Sequence, residues 1–319
     1  MNMYKVAIIG AGQLGSRHLQ GLKVAASPLS ITVVDSCQES LKVAKERYES
    51  VLGIGEKEAF FTDDINNLPS SLDFVVVATG SKPRAAIVKT LLNHSTVSNL
   101  ILEKVLFTKL DDYDEIEFLL KRKEVRCWVN CPRRMFGSYQ LIQKSLSCSE
   151  PITMEYKGTP WGLCCNAMHF IDVFMYLTGE NTYSLDTTGI EPEIIASKRS
   201  GYVEMDGTLS ITTPKGSTLT LTSSQALHNT AVVEIKNGLN YISLDESTGI
   251  LIIDGKTVKV ATPFQSQMTG LLADMVLSTG YCPLSPYEIS ALYHRTFIKE
   301  MLNKYNSITN EGSDMLPVT

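Results

Sequence analysis

The chain has no long uninterrupted apolar run and no excess of positive charge. Its net charge is −5 at pH 7, and charged residues make up 20% of its 319 residues. This composition gives no electrostatic basis for binding nucleic acid or an anionic membrane. The absence of a long apolar run predicts that there is no transmembrane helix. With 44% apolar residues, the composition is that of a globular protein rather than a disordered chain.

The cysteines and histidines also lack the spacings that are typical of disulfide frameworks and metal sites. The seven cysteines include no CxxC pair, and Cys164 and Cys165 are adjacent, which is poor geometry for an ordinary disulfide. Four histidines stand singly, without metal-ligand spacing: His18, His94, His228 and His294. The N-terminal residues lack the regions of a signal peptide. We therefore expect reduced cysteines, a cytoplasmic location and no bound metal.

The first third of the chain alternates apolar, β-branched runs with helical patterns. This alternation predicts a doubly wound parallel sheet. The predicted strands are Lys5–Ile9, Ile31–Asp35, Phe74–Ala78, Asn99–Glu103 and Val125–Asn130. The predicted helices are Leu14–Ala25, Glu39–Ser50, Pro83–Asn93 and Asp112–Lys123.

The pattern changes after Pro132. Two helices are predicted there, Arg133–Ser145 and Leu163–Leu177, the second ending at Gly179. Between residues 190 and 260, apolar and polar residues alternate between turn signals, which predicts an open, mostly antiparallel sheet in an α+β domain. Two further helices, Gln265–Ser278 and Pro286–Tyr305, precede a polar tail that we expect to be loosely held. The length favours two domains, which we place at 1–132 and 133–319.

A glycine-rich motif directly follows the first predicted strand and opens a helix. The segment Gly10–Gly15 reads GAGQLG, a full GxGxxG. Its glycines allow a tight turn, close approach of a pyrophosphate and close helix–strand packing. This context is typical of a Rossmann dinucleotide site. The residues predicted to contact the cofactor are Gly10, Gly12, Gln13, Leu14 and Gly15.

An acidic residue follows at the expected distance. Asp35 ends the second predicted strand, where a carboxylate accepts hydrogen bonds from ribose hydroxyls and repels a 2′-phosphate. Asp35 could instead cap the next helix, although Ser36 and Glu39 have capping-box spacing and could fill that role. We therefore expect NAD rather than NADP. Thr79 and Gly80 follow the third buried run, either in the ligand crevice or in a simple strand-to-helix turn.

Several motifs together give the chain a family resemblance. Glu103 and Lys104 end a late Rossmann strand, Asn130–Arg134 reads NCPRR at the domain crossing, and His169–Asp172 reads HFID on a helix. In this order and spacing, the chain resembles the glucose–fructose oxidoreductase, inositol dehydrogenase and rhizopine-catabolism family (Gfo/Idh/MocA). The resemblance covers nearly the whole chain. It implies an NAD(P)-dependent dehydrogenase that acts on a sugar, a cyclitol or a sugar derivative.

The resemblance also implies roles for particular residues. Glu103 and Lys104 match a Glu-Lys-Pro motif beside the nicotinamide, although Val105 replaces the proline. A lysine held near a substrate hydroxyl can stabilise a developing alkoxide and exchange its proton, which makes Lys104 a candidate catalytic and substrate-binding residue. The alternative is a surface lysine that is paired with Glu103.

The histidine motif matches the family only in part. Where the family has an aspartate four residues before the histidine, this chain has Cys165, whereas His169 and Asp172 match. On a helix these positions share a face with Asn166, so His169 could relay a proton or bind a substrate hydroxyl, and Asn166 could bind substrate. The alternative is a core histidine that is satisfied by Asp172.

Two more substrate-site candidates have structural alternatives. Arg133 could contact an anionic substrate or a cofactor phosphate, and Arg133 and Arg134 could equally form salt bridges between the domains. Trp161 could form a wall of the sugar pocket or only pack under the sheet. The half-covered sheet favours a homodimer or homotetramer.

The leading functional hypothesis is an NAD-dependent sugar-type oxidoreductase with a small-molecule substrate. Two rival hypotheses remain open. One is an enzyme that retains NAD and uses transient oxidation for elimination or glycoside cleavage. The other is a regulatory protein that binds dinucleotide without turnover.

Overall fold

The computed structural model describes residues 3–227 and 231–319. Within these residues no helix is both long and apolar enough to cross a membrane. The strands are β1 (Tyr4–Ile9), β2 (Leu29–Val34), β3 (Lys57–Thr62), β4 (Ser71–Leu72), β5 (Phe74–Val77), β6 (Thr96–Val97), β7 (Asn99–Glu103), β8 (Arg126–Asn130), β9 (Ile152–Gly158), β10 (Ser184–Asp186), β11 (Ile195–Ala196), β12 (Val203–Glu204), β13 (Gly207–Thr212), β14 (Thr218–Ser223), β15 (Val232–Asn237), β16 (Asn240–Asp245), β17 (Ile250–Ile253), β18 (Lys256–Lys259) and β19 (Ser285–Pro286).

The helices alternate with the strands in the first part of the chain and are sparser afterwards. They are α1 (Gln13–Lys23), α2 (Gln38–Glu49), α3 (Ser81–His94), α4 (Asp111–Arg122), α5 (Gly137–Ser145), α6 (Leu163–Thr178), α7 (Gln265–Thr279) and α8 (Tyr287–Thr309). Two 3-10 turns occur at Ile65–Asn67 and Pro132–Met135.

The chain divides into two compact units. The first unit contains the chain up to Phe107, Asp111–Asn130 and Pro263–Tyr287, and the second contains Thr108–Leu110, Cys131–Thr262 and Glu288–Thr319. Apart from the short segment Thr108–Leu110, the chain passes from the first unit to the second between Asn130 and Cys131, close to the boundary expected at 132/133. A single boundary does not describe Pro263–Tyr287, which returns to the first unit.

The first unit is built on the predicted parallel sheet. Its strand order is β19-β8-β7-β5-β1-β2-β3, in which β19 alone pairs antiparallel, with β8. The central strands are apolar and fully buried along most of their length, as at Val6–Ile8 and Phe74–Val77. Burial on both faces is the usual consequence of helices that cover both sides of a parallel sheet.

Strand β3 was not predicted from the sequence. It pairs in parallel with β2 at the edge of the sheet, and its side chains alternate between half-buried and exposed, with Phe60 56% exposed. Because no continuous apolar run marks such an edge strand, the sequence pattern does not predict it.

Helix α7 packs against α1 through small residues, which explains its place in the first unit. A Cβ atom at Gly270 would lie 2.3 Å from the carbonyl oxygen of Gly21, and one at Gly21 would lie 2.8 Å from Thr269 Cβ. Only glycine at these two positions allows the helix backbones to come this close. Ala26 and Ser27 then donate backbone hydrogen bonds to the Asp274 carboxylate, at 2.7 and 2.9 Å.

The second unit contains an eight-stranded sheet in the order β10-β13-β14-β9-β15-β16-β17-β18. Every pairing is antiparallel except that of β14 with β9, so the expected open, mostly antiparallel sheet is confirmed. One row of residues that pair across the sheet is largely buried: Leu209, Leu221, Tyr156, Val233, Leu244 and Leu251. Helix α6 covers this face, and its Phe170 ring stacks on Tyr156 at a centroid distance of 4.2 Å.

Two local predictions in the second unit are wrong. The helix predicted at Arg133–Ser145 is a 3-10 turn followed by α5, with the extended residue Phe136 between them. The tail expected to be loose is packed, because Leu316 and Val318 are fully buried and Val203 N donates to the Pro317 carbonyl at 2.8 Å. The apolar residues at 316 and 318 outweigh the polar composition of the tail as a whole. His228 lies outside the described residues.

Candidate active site

The carboxyl ends of four neighbouring parallel strands carry predicted cofactor residues and the predicted catalytic lysine. In sheet order these strands are β7, β5, β1 and β2, and they are followed by Lys104, Thr79, Gly10 and Asp35 respectively. In open α/β sheets, ligands bind in the crevice outside this edge. The fold therefore brings the residues from these four strand ends to one edge of the first unit.

The glycine loop has the geometry that a pyrophosphate requires. Gly10 has a φ of +92°, and a Cβ atom there would lie 2.9 Å from the backbone nitrogen of Thr79. A Cβ atom at Gly15 would lie 1.7 Å from the Gly10 carbonyl oxygen, whereas one at Gly12 would meet nothing within 4 Å. Open space above Gly12, at the N-terminus of α1, is where the backbone amides can approach an anion. Gln13 and Leu14 form the first turn of this helix.

A pocket of about 350 Å³ includes Gly10 of the loop in its lining, and its charged lining residues are all acidic. It is lined by Ile9, Gly10, Val34, Asp35, Ser36, Asp63, Asp64, Ile65, Thr79, Ile87 and Thr90. Three of these residues are aspartates and none is an arginine or lysine. The Thr79 hydroxyl is buried and has no hydrogen-bond partner within the described ranges, so it offers a polar atom to a ligand. These features fit the adenosine end of a dinucleotide.

Asp35 has local partners that the sequence did not indicate. Its carboxylate accepts hydrogen bonds from Ala11 N at 2.6 Å and Cys37 N at 2.9 Å. It thereby ties β2 to the glycine loop and supports the start of α2. The predicted capping box of Ser36 and Glu39 is wrong, because Cys37 is the N-cap of α2 and its side chain makes no capping hydrogen bond.

Thr79 and Gly80 form the turn between β5 and α3, and Gly80 is the N-cap of that helix. The turn is therefore both a strand-to-helix connection and part of the ligand crevice, because Thr79 lies in the turn and also lines the pocket.

Glu103 lies in a buried polar network rather than at an open surface. It is 2% exposed, and its Oε1 atom is 2.8 Å from His18 Nε2 and also accepts from Asn130 Nδ2. Gln265 and Thr269 of α7 extend the network, with His18 Nδ1 2.9 Å from the Thr269 hydroxyl. Burial acts to raise the pKa of Glu103, but hydrogen bonding to His18 and Asn130 and nearby positive charge give a net lowering. Glu103 is therefore an ionised anchor.

Lys104 is half-buried between the buried residues Glu103 and Val105. The Lys104–Val105 peptide bond is cis. Since Glu103 is buried and binds His18, the alternative of an exposed Lys104–Glu103 surface pair does not describe this site.

In the second unit, helix α6 carries the histidine motif and begins at an acidic cap. Gly162 precedes the helix in a left-handed conformation, with a φ of +74°. The Glu204 carboxylate of β12 accepts from the backbone nitrogens of Cys164 and Cys165, at 2.8 and 3.1 Å. Asn166 Nδ2 donates to the Trp161 carbonyl at 2.8 Å. Sequence reasoning missed Glu204, because no local spacing connects it with residues 40 positions earlier.

Asp172, which one interpretation of the sequence paired with His169, forms an ion pair with Arg134. Asp172 is fully buried, and its two carboxylate oxygens accept from Arg134 Nε at 2.9 Å and Nη2 at 2.8 Å. Burial raises the pKa of Asp172, and Arg134 opposes that rise. The two hydrogen bonds from one guanidinium hold the Asp172 carboxylate in place. His169 itself is half-buried on α6.

Arg133 forms a second ion pair within the same unit. Its Nε and Nη2 atoms donate to the two carboxylate oxygens of Glu246, both at 2.8 Å, and Tyr139 donates to the same carboxylate at 2.8 Å. Burial acts to lower the pKa of Arg133, but Glu246 produces a net rise. The guanidinium also lies 4.3 Å from the Phe170 ring centroid. The salt bridges expected between domains are thus found within the second unit for both arginines.

Trp161 packs in an aromatic cluster with Tyr156 and Phe170, at centroid distances of 5.0 and 5.4 Å. Its indole nitrogen donates to the Thr222 carbonyl at 2.9 Å. The interpretation of Trp161 as a packing residue under the sheet is therefore supported.

Among residues 3–227 and 231–319, no group of His, Cys, Asp or Glu could hold a metal ion.

Comparison with known proteins identifies the first part of the chain. The model of the oxidoreductase family GFO_IDH_MocA, with an NAD-binding Rossmann fold, matches residues 4–131. This match covers less than half of the chain and identifies residues 4–131 as an NAD-binding Rossmann domain of the type found in this oxidoreductase family. No curated protein gives a significant match.

Solved structures share the fold over nearly the whole length. An oxidoreductase from Agrobacterium radiobacter, in complex with NAD⁺, L-tartaric acid and magnesium, is 15% identical with a TM-score of 0.71, over 96% of this chain and 97% of that chain. UDP-N-acetylglucosamine 3-dehydrogenase from Acidithiobacillus ferrooxidans is 15% identical with a TM-score of 0.70, over 95% and 97%. Biliverdin reductase from Synechocystis sp. PCC 6803, in complex with biliverdin and NADP⁺, is 14% identical with a TM-score of 0.70, over 94% and 98%.

Proposed function

We propose that the protein is an NAD(H)-dependent dehydrogenase that acts on a carbinol or ketone of a sugar, a cyclitol or a sugar derivative. The observation that carries this proposal is the order of groups at one sheet edge. An acidic pocket at β2 and the glycine loop at β1 are followed by Thr79 at β5 and Lys104 at β7. This order matches the extended shape of a dinucleotide, from adenosine to nicotinamide.

The acidic pocket supports NAD over NADP. Asp35, Asp63 and Asp64 all line it, and a 2′-phosphate placed there would meet several carboxylates without an arginine in the lining. Ribose hydroxyls, in contrast, can donate hydrogen bonds to a carboxylate. Binding of the 2′-phosphate form should therefore be weaker.

Lys104 is the proposed catalytic group of the first unit. When bound, the nicotinamide supplies hydride chemistry. The Lys104 ammonium would hold the substrate hydroxyl or carbonyl oxygen and exchange a proton with it, which stabilises a developing alkoxide. His169 is proposed to assist as a second hydrogen-bonding or proton-exchanging group. Arg133 and Asn166 bind protein groups, so they are weaker substrate-site candidates than the sequence indicated.

The sugar-type substrate follows from the family resemblance and is in line with one fold relative, the UDP-N-acetylglucosamine dehydrogenase. Free sugars, cyclitols and nucleotide-linked sugars are therefore the substrates to test first. Net NADH formation in proportion to product would separate a dehydrogenase from an enzyme that retains NAD.

The experiment that tests the proposal is the variant Lys104→Ala. It should bind NADH with near-normal affinity but lose turnover by roughly 10²–10⁴-fold, the usual contribution of general acid–base assistance. Lys123→Ala, an exposed lysine after α4, serves as the control. Near-normal turnover by Lys104→Ala would remove this residue from the mechanism.

A second candidate function is dinucleotide binding without turnover. The observation that favours it is the altered histidine helix, in which Cys165 replaces the family aspartate and Asp172 forms an ion pair with Arg134. Tight NADH binding with no activity across the substrate panel would support this regulatory function instead.

A further inference from the structure

Arg84 is a buried cation on the first turn of α3. It is 1% exposed and is among the largest fully buried side chains. A positive charge near a helix N-terminus opposes the helix dipole, and burial adds a desolvation cost. The charge therefore requires strong acceptors within the fold.

Backbone carbonyls on both sides of Lys104 supply these acceptors. Nη1 of Arg84 donates to the carbonyl oxygens of Glu103 at 2.6 Å and Leu106 at 2.9 Å, and also to that of Val105. Nη2 donates to the Thr79 carbonyl. One guanidinium thus connects the segment that carries Lys104 with the turn that lines the cofactor pocket.

We propose that Arg84 is a positioning residue that fixes the backbone around Lys104 relative to the Thr79 turn. The proposal rests on the proposed catalytic role of Lys104. Lys104 is only half-buried, whereas Glu103, Val105 and Leu106 are buried, so the side chain projects from a segment whose neighbours are held. Arg84 acts through this backbone and not on the substrate.

A guanidinium suits this task because its planar group presents five N–H donors in fixed directions. A lysine at the same position would keep the charge but could not reach four carbonyls from two segments with comparable geometry. A methionine would leave the carbonyls without their donor and would remove the charge. Arg84→Lys therefore removes only part of the interaction with the carbonyls, whereas Arg84→Met removes all of it.

The first measurement needs no substrate. Hydrogen exchange would be followed by mass spectrometry across residues 103–107, together with the rate at which an amine-reactive reagent labels Lys104. In Arg84→Met we expect the hydrogen-exchange rate of residues 103–107 to rise by about tenfold or more, because the segment opens locally more often. The rate at which the reagent labels Lys104 should also change. Arg84→Lys should give an intermediate effect. The matched control is Lys82→Met, which removes a cation from an exposed position two residues earlier on α3.

The second measurement uses turnover once a substrate is found. A displacement of about 1 Å at a reacting group can cost on the order of 10²-fold in rate, so kcat should fall by a comparable factor in Arg84→Met. A purely structural role would lower thermal stability without changing the relative labelling of Lys104.

Exchange and labelling that match the wild type in Arg84→Lys and Arg84→Met would overturn the proposal. If Arg84→Met does not fold, the result for Arg84→Lys decides. The exchange measurement reports on Arg84 alone, whereas normal turnover by Lys104→Ala would count against the proposed function, so the two failures are distinguishable.

Discussion

At the residue scale, Glu103 holds a negative charge inside the first unit because His18 and Asn130 bind it. Glu103→Gln should lower the free energy of unfolding at neutral pH by about 1–3 kcal/mol, the usual cost of weakening a buried charged hydrogen bond. Urea unfolding measures this loss, with the exposed Glu46→Gln as control.

The pH dependence of this loss has a defined sign. The pKa of Glu103 in the folded protein lies below its ordinary value of 4.5. The stabilisation is therefore fully present above the unfolded pKa and disappears as the pH falls through the lower folded pKa. The difference between wild type and Glu103→Gln should shrink in acid. A difference that grows in acid would show that Glu103 is not ionised in the fold.

His169 is the residue whose role the structure changes most. The Asp172 carboxylate, three residues after His169, forms a bidentate ion pair with Arg134 that the sequence did not indicate. We expect His169→Ala and His169→Gln both to lower turnover, while NADH affinity and thermal stability hold. Steady-state kinetics with the identified substrate checks this. Normal turnover in either variant would show that the family role does not transfer to this chain.

At this scale the sequence predicted the local conformation of the glycine loop better than the hydrogen-bond partners of individual side chains. The glycine loop was predicted correctly as a strand-to-helix turn because its glycines are needed for steric reasons within a few residues. The partners of Glu103, Asp172 and Arg133 lie 85, 38 and 113 positions away. No spacing in the sequence encodes such contacts, which depend on how the elements pack.

At the element scale, α6 illustrates a helix whose boundaries were predicted and whose cap was not. Gly179 ends the helix in a left-handed conformation, as its position indicated. The start depends on Glu204, which belongs to a distant strand. Apolar periodicity and glycine mark a helix locally, whereas a cap supplied from elsewhere leaves no local signal.

The Glu204 cap can be tested directly. Glu204→Gln should lower the free energy of unfolding by roughly 1 kcal/mol, because it weakens two hydrogen bonds and removes a negative charge from a helix N-terminus. Chemical denaturation gives this value. Glu193→Gln, at an exposed position, should change stability by less than about 0.5 kcal/mol. Equal effects in both variants would argue against the cap.

At the scale of the whole molecule, the sheet of the second unit bears on assembly. Its outward residues on β13 and β14 are half-buried or exposed and carry hydroxyl groups: Thr208, Ser210, Thr212, Thr218, Thr220 and Thr222. Larger apolar residues occur on the same face at Tyr241 and Ile250. The face is thus more polar than the alternating pattern suggested.

We still predict a homodimer or homotetramer formed through this face, because hydroxyl-rich strands can pack closely and hydrogen-bond across an interface. Light scattering at micromolar concentration measures the mass in solution. Lys236→Glu, on the same face, should weaken the assembly more than Lys123→Glu, just after α4, does. A strictly monomeric wild-type protein would contradict the prediction.

The overall architecture could be read from the sequence, with one exception in how the chain is divided. Strand–helix alternation and period-2 hairpins predicted the two kinds of sheet. The return of α7 to the first unit could not be predicted. It depends on a close contact between Gly21 and Gly270, which are separated by most of the length of the sequence.

The most direct test of the central claim is a fluorescence titration of the purified protein with NADH and NADPH. An acidic pocket with Asp35, Asp63 and Asp64 should disfavour a 2′-phosphate, so NADH should bind more tightly by about tenfold or more, equivalent to roughly 1.4 kcal/mol. Equal or tighter binding of NADPH would contradict the assignment of this pocket to NAD.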